Sequence, residues 1–264
     1  MPNSEIYRNG KYKAAGKWYP ESDLFGYPDS LIRSRVNFAY LMGCYFLLKH
    51  YDEKVEKMTV SDIGSCHGHG VDTIQTLLKP KQVLSLDRWY EFLFAQSRVI
   101  KPRPNFITMN LPDIPLTNES CDAVFLIHVI EHLPNLKLQL KQIRRIIKPG
   151  GALIIATPDK RNLVWTNPED FINFDNQSLA ELLKESGFNP QVYSIAGNEH
   201  AIAVHKRKRF FAQFLPITKT LRKYVPWQLW DKFLLLAELS IKDFYLNHTF
   251  NESSIDLFAF AIKT

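Results

Sequence analysis

The chain of 264 residues predicts an α/β fold on a mostly parallel sheet, and three observations carry that expectation. From Thr59 onward, short apolar runs alternate with longer amphipathic stretches, the pattern of repeated βαβ units. The first run leads into a turn crowded with Gly64, Gly68 and Gly70, where glycine lets backbone come close to a ligand. The next run ends in Asp87, about 20 residues further on, where an acid can accept hydrogen bonds from both hydroxyls of a ribose.

Each element follows in order. Ser30 to His50 holds a nine-residue apolar run, Tyr40 to Leu48, too short to span a bilayer and suited to a helix packed on the sheet. Strands are expected at Val60–Ile63, Val83–Leu86, Phe106–Met109, Ala123–Ile127 and Ala152–Ala156, because such runs bounded by Gly, Pro, Asp or Asn read as buried strands. Helices are expected at Val71–Leu78, Tyr90–Ile100 and Leu136–Ile147, the last with Leu136, Leu140, Ile143 and Ile147 on one face and Lys-Pro-Gly-Gly to end it. After a loop, Asn176–Ser186 is a helix with Asp175 as N-cap and Gly187 as terminator. Gln191–Ile195 and Asp256–Ile262 supply two more strands, with an insertion between them. The expected organisation is an N-terminal helical cap over 1–50 and one domain over 51–264, interrupted by a helical insertion at about 198–254.

Composition narrows the class. With 45% hydrophobic and 23% charged residues, 11 Gly and 15 Pro, the chain is neither low-complexity nor collagen-like. The opening MPNSEIYRNGKY lacks the apolar region of a secretory signal, and no stretch approaches about 18 apolar residues, so a soluble, cytoplasmic protein is expected. Cys44, Cys66 and Cys121 are odd in number, widely spaced and without CxxC, which supports neither a disulfide framework nor a cysteine zinc site. His67 and His69 have no third ligand nearby, so no metal is assigned to them. The net charge of +6 is local: no acid lies between Glu199 and Asp231, while Lys206, Arg207, Lys208, Arg209, Lys219, Arg222 and Lys223 do.

Five segments in order, VSDIGSCHGHGVDTI, VLSLD, MNLPDIPL, CDAVFLIHVIEHLPN and IKPGGALIIATP, make residues 58–188 resemble the class I S-adenosylmethionine-dependent methyltransferases, in the branch that includes ubiquinone-biosynthesis and many small-molecule enzymes. The resemblance implies a Rossmann-like, mostly parallel seven-stranded sheet with an antiparallel last strand, and S-adenosylmethionine across the strand C-termini. Asp62, Gly64 and Gly68 match the D-x-G-x-G-x-G motif, with Cys66 at the middle glycine. By the same resemblance Asp87 binds the ribose, followed by Arg88, and Asn110 and Leu111 belong to the adenine loop. Asn110 stands where the family usually has Asp and keeps an acceptor oxygen without the charge. His128 would lie beside the activated methyl group.

Methyl transfer to a hydroxyl requires an oriented acceptor and a route for its proton. His128, Glu131 and His132 are spaced i, i+3 and i+4, which in a helical turn puts them on one face. One of them is a candidate general base, His best by its ordinary pKa. The same three suit a divalent ion that acidifies the acceptor, or Glu131 and His132 merely support the strand end. The expected activity is methylation, foremost of oxygen, on a small molecule, lipid or sugar-containing metabolite. An RNA methyltransferase and a non-catalytic binding protein are the alternatives. In the insertion, Trp230, Phe233, Leu234, Ala237 and Ile241 recur on one helical face behind the basic run. A lid, a contact of 206–241 with anionic membrane, and an RNA surface all remain open, though no nucleic-acid motif accompanies the run. Trp18, Tyr19, Phe25 and Tyr27 either help close the site or only pack.

Overall fold

The expected alternation is realised in a computed structural model that describes residues 7–8, 11–14, 17–20, 30–163, 170–212 and 239–264. Three short strands come first: β1 (Tyr7–Arg8), β2 (Lys11–Ala14) and β3 (Lys17–Pro20), paired antiparallel in their own small sheet. The long helix α1 (Ser30–Tyr51) follows. Then come β4 (Thr59–Ile63), α2 (His69–Leu78), β5 (Gln82–Asp87), α3 (Tyr90–Val99), β6 (Asn105–Thr108), β7 (Cys121–Ile127), α4 (Leu136–Ile146) and β8 (Ile147–Pro158). The chain continues through α5 (Asn176–Glu185), β9 (Phe188–Gly197), α6 (Glu199–Ala212), β10 (Phe244–Asn247) and β11 (Ser254–Lys263).

The main sheet has the order β10-β9-β11-β8-β7-β4-β5-β6. The pairs β4/β5, β4/β7, β5/β6 and β7/β8 are parallel, and β11 runs antiparallel between β8 and β9. Because strand side chains alternate, the two faces take alternate residues. Phe125 and Ile154 face a core shared with Tyr40 and Leu47 of α1 and Val71 and Ile74 of α2. Val124, Leu126, Leu153 and Ile155 face a second core with Leu140 and Ile143 of α4 and Leu179 and Leu183 of α5. Covered on both sides, these strands are continuous apolar runs, which is why they were legible.

Three expectations need correction. Residues 1–50 are not a purely helical cap, since 7–20 contains β1 to β3, and α1 is part of the main core: Ala39 and Leu47 are fully buried in the cluster that holds Val60 and Phe125. All seven expected strands are present, and β10 adds an eighth from inside the insertion, pairing antiparallel with β9 at the sheet edge. Of its four residues only Phe244 is buried, so it lacks the apolar pattern that marks a central strand. Helix α4 ends at Ile146, and Lys-Pro-Gly-Gly enters β8 through an irregular register opposite Cys121 and Ala123. The start of α5 is as expected: Asp175 Oδ1 accepts from the Ser178 N–H at 2.8 Å while Ser178 Oγ accepts from the Asp175 N–H at 3.0 Å.

In the insertion, α6 carries the first part of the basic run. Lys219, Arg222, Lys223, Trp230, Phe233, Leu234 and Ala237 lie outside the described residues, as do Phe25 and Tyr27, and Ile241 opens a single exposed 3₁₀ turn. Among the described residues no helix is long and apolar enough to cross a membrane.

Candidate active site

The site begins where β4 ends. Gly64 and Gly68 have φ of +76° and +85°, and Cys66 between them has φ of +43°. A Cβ on Gly64 would lie 2.5 Å from Val129 Cγ2, so glycine is required there by both torsion and space. Cys66 takes the left-handed conformation despite its Cβ, at a cost of about 1–2 kcal/mol. Its peptide groups are held from both sides. The Cys66 N–H donates to Asp87 Oδ2 at 2.9 Å, and Gln96 Nε2 donates to the Cys66 carbonyl at 2.7 Å. Gln96 Oε1 in turn accepts from buried Ser85 Oγ at 2.9 Å. The turn is therefore fastened to β5 and α3 through the residue that departs from glycine.

Asp87 is the hub of this cradle. It is 5% exposed, and its other oxygen, Oδ1, accepts from the Trp89 N–H at 2.9 Å. Burial pushes its pKa above the usual carboxylate value, opposed by the Trp89 and Cys66 N–H groups and the Arg88 charge. A carboxylate offers about four lone-pair sites, so acceptor capacity remains for two ribose hydroxyls. Arg88 itself is exposed and lies 5.0 Å over the Trp89 ring. The Met109 N–H donates to the Asp87 carbonyl at 3.0 Å, which brings the turn at Asn110 and Leu111 beside β5. Asn110 is exposed, its carbonyl accepts from the Asp113 N–H at 2.8 Å, and Leu111 packs partly buried on the second core. Asp62, Gly64, Cys66, Gly68, Asp87 and Asn110 thus gather at the C-terminal ends of adjacent parallel strands.

Beneath the turn, Asp62 is fully buried, and Tyr40 Oη of α1 donates to its Oδ1 at 2.9 Å. The Asp62 Oδ2 atom has no hydrogen-bond partner. Burial pushes the Asp62 pKa up to about 7, Tyr40 holds it down and the Asp87 charge adds to the rise. Tyr40 reaches this place because Gly70 has no side chain: a Cβ there would lie 2.1 Å from the Tyr40 ring. An unsatisfied buried carboxylate oxygen, a carboxylate with open acceptor sites and a positive-φ turn fit S-adenosylmethionine, whose ammonium and ribose hydroxyls are donors.

At the end of β7, His128 has φ of +52°, and its N–H donates to the Ala156 carbonyl at 2.8 Å. Its Nδ1 lies 3.3 Å from Glu131 Oε1 and its Nε2 lies 3.2 Å from Asp256 Oδ2. Thr157 Oγ1 donates to Glu131 Oε2 at 3.1 Å, and Arg35 Nη1 pairs with Asp256 Oδ1 at 2.9 Å. Burial and the Arg35 charge pull the His128 pKa down, but the Asp256 charge and the nearness of the Asp256 and Glu131 carboxylates outweigh them and carry the pKa up to about 9. Asp256 moves below the usual carboxylate value because, against burial, the charges of Arg35 and His128 prevail. The carboxylates thus favour the charged form of the His128 ring.

His132 is not on the same face. Its Nδ1 meets Asp170 Oδ1 at 2.9 Å, because the chain turns through Ile130–His132 as a 3₁₀ helix. With three residues per turn, i and i+3 lie together and i+4 rotates away. His67 and His69 are buried, and burial pushes both pKa values down to about 4. The His67 ring packs against Phe92 at 4.9 Å. Among the described residues no three His, Cys, Asp or Glu side chains converge as a cation site.

Sequence reasoning missed Tyr40, Arg35 and Asp256 as site residues. Asp256 offered a signal, as the single acid in the apolar run from Ile255 to Ile262, since a buried acid needs a partner.

The sheet order, the glycine turn and the buried acid that ends β5 are those of a class I S-adenosylmethionine-dependent methyltransferase. Residues 61–155 of the chain match a family model described as a methyltransferase domain. A protein of Mycolicibacterium smegmatis named "Probable S-adenosylmethionine-dependent methyltransferase" is 28% identical over 218 residues, 77% of this chain and 81% of that protein. The phthiotriol/phenolphthiotriol dimycocerosates methyltransferase of Mycobacterium leprae is 27% identical over 123 residues, 46% of each chain, so this similarity spans about half of that relative. A phosphoethanolamine N-methyltransferase 2 of Haemonchus contortus, solved with S-adenosyl-L-methionine, shares the fold with a TM-score of 0.53 at 17% identity, over 84% of this chain and 52% of that one.

Proposed function

We propose that the chain methylates an oxygen atom of a small-molecule acceptor, in particular one carried on a lipid. The observation that carries the cofactor half of this reading is Asp87, buried and bonded through Oδ2 to the glycine-rich turn. The cofactor supplies the electrophilic methyl group. Asp87 orients the ribose, and Asp62 and the turn hold the methionine end. The new O–CH3 bond forms as the S–CH3 bond of the sulfonium breaks, the hydroxyl proton passes to solvent water, and the polar floor formed by His128, Glu131 and Thr157 offers the acceptor hydrogen-bonding partners. That the Mycobacterium leprae relative is named for a lipid substrate favours a lipid-linked acceptor. So does α6, which presents Lys206 and Arg207 to solvent, with Phe210 56% exposed. Each basic residue near an anionic surface contributes about 1 kcal/mol of attraction.

The test incubates the protein with methyl-labelled S-adenosylmethionine and, in parallel, a lipid extract, a polar metabolite extract and RNA. Label in the organic phase or in a small polar product supports the reading. Label in RNA overturns the acceptor class. No calorimetric binding of S-adenosylhomocysteine overturns the cofactor half. For the membrane contact, anionic vesicles should sediment the protein and neutral ones should not, with binding weakened by salt and by replacing Lys206, Arg207, Lys208 and Arg209 with Ser. Binding to neither vesicle would sink the contact.

A further inference from the structure

Two carboxylates flank the His128 ring, Glu131 Oε1 at 3.3 Å from Nδ1 and Asp256 Oδ2 at 3.2 Å from Nε2. The Nε2 contact lies outside hydrogen-bond alignment, so it acts through charge. Both carboxylates are buried and each is held from behind, Glu131 by Thr157 Oγ1 and Asp256 by Arg35 Nη1. If the ring were neutral, two buried carboxylates would share the single positive charge of Arg35, away from water, which is costly. We infer that Asp256 and Glu131 are positioning residues that keep His128 doubly protonated and fix its ring, so that His128 serves methyl transfer as a fixed cation and not as the base.

The charged groups come from every side of the ring. Arg35 arrives from α1, Asp256 from β11 and Glu131 from the turn after β7, while His205 of α6 adds its field at Asp256. The formal charges of Arg35, Asp256, His128 and Glu131 cancel, which is the condition for holding them together in a buried site. The two roles of His128 also differ in sign with pH. A base works better as pH rises through its pKa. A fixed cation works evenly across the neutral range and fails only where its proton leaves, near 9. The functional part of this inference rests on the methyltransferase reading, whereas the protonation state does not.

The experiment labels the full chain with 15N-histidine, assigns His128 by its absence in His128→Gln, and follows both ring nitrogens by NMR from about pH 6 to 10. Both should remain protonated to above pH 8. Asp256→Asn should lower the titration midpoint by a unit or more, and Glu131→Gln should move it the same way. A wild-type midpoint at or below about 7 overturns the inference whether or not either variant folds. A midpoint unmoved in folded Asp256→Asn removes Asp256 from the role. With the acceptor in hand, a turnover that stays flat between about pH 6.5 and 8.5 supports the fixed cation, and one that climbs through that range restores His128 as base. Calorimetry with S-adenosylhomocysteine on the same sample separates this outcome from failure of the cofactor reading.

Discussion

Replacing Asp87 by Asn tests the cradle at its hub. The carboxylate receives the Cys66 and Trp89 N–H groups on different oxygens, each at 2.9 Å. Asn keeps one acceptor oxygen and turns an NH2 group toward the other donor, so one of the two bonds is lost. A hydrogen bond to a charged group is worth about 1.5–3 kcal/mol. The ribose loses a charged acceptor of the same kind, and 1.5–3 kcal/mol of binding is roughly a 10- to 150-fold loss of affinity. Fold stability should change less, by about 1 kcal/mol, because burial already raises the Asp87 pKa and a neutral amide avoids that desolvation. Titration calorimetry with S-adenosylhomocysteine, paired with urea unfolding, measures both quantities. The exposed Glu185→Gln controls for charge alone. If Asp87→Asn binds within twofold of the parent while its fold is intact, the ribose assignment is wrong.

Gly64→Ala would set a Cβ against Val129 at a φ of +76° and should cost at least about 2 kcal/mol, lowering the melting temperature by roughly 4–8 °C; an unchanged melting curve refutes the account of the turn. Cys66→Gly relieves the strain at φ of +43° and should leave S-adenosylhomocysteine affinity within about twofold, with stability equal or up to about 1 kcal/mol higher, whereas a large loss of affinity would give the Cys66 side chain a role the geometry does not show. Tyr40→Phe removes the donor to Asp62. The folded Asp62 pKa of about 7 exceeds the ordinary carboxylate value of 3.8, so ionisation costs stability as pH rises between those values. Losing Tyr40 raises the folded pKa further, so urea unfolding should show a larger cost at pH 8 than at pH 5, and equal costs would count against the pair. For His128 the raised pKa gives stability that is full below 6.5 and lost as pH rises through about 9; the melting temperature should therefore drop between pH 8 and 10, and Asp256→Asn should flatten that drop.

Much of the sheet could be read directly because of where it sits. Strands β4, β5, β7 and β8 are covered on both faces, so their side chains are mostly apolar, with buried Ser61, Asp62, Ser85 and Asp87 among the polar exceptions near the site, and Gly, Pro or Asp marks their ends. The cap of α5 was legible because an Asp with a Ser three residues later satisfies orphan N–H groups within one turn. The order of the cofactor residues was legible for the same local reason, since the turn and Asp87 end neighbouring strands. Strand β10 was not, because a four-residue edge strand needs no apolar alternation.

What the amino-acid sequence determined by itself was therefore everything whose cause lies within one element or one turn: the periodicities, the glycine turn, the acid that ends β5 and the basic run at 206–209. What only tertiary structure decided was which distant groups meet. Tyr40 reaches Asp62 across α1 and α2 because Gly70 opens the space. Arg35, His128, Glu131 and Asp256 come together from the first helix, the turn after β7 and the last strand. No local pattern records that meeting, yet it sets the protonation of His128, because a ring's charge depends on the fields of the groups folded around it and not on its neighbours in sequence.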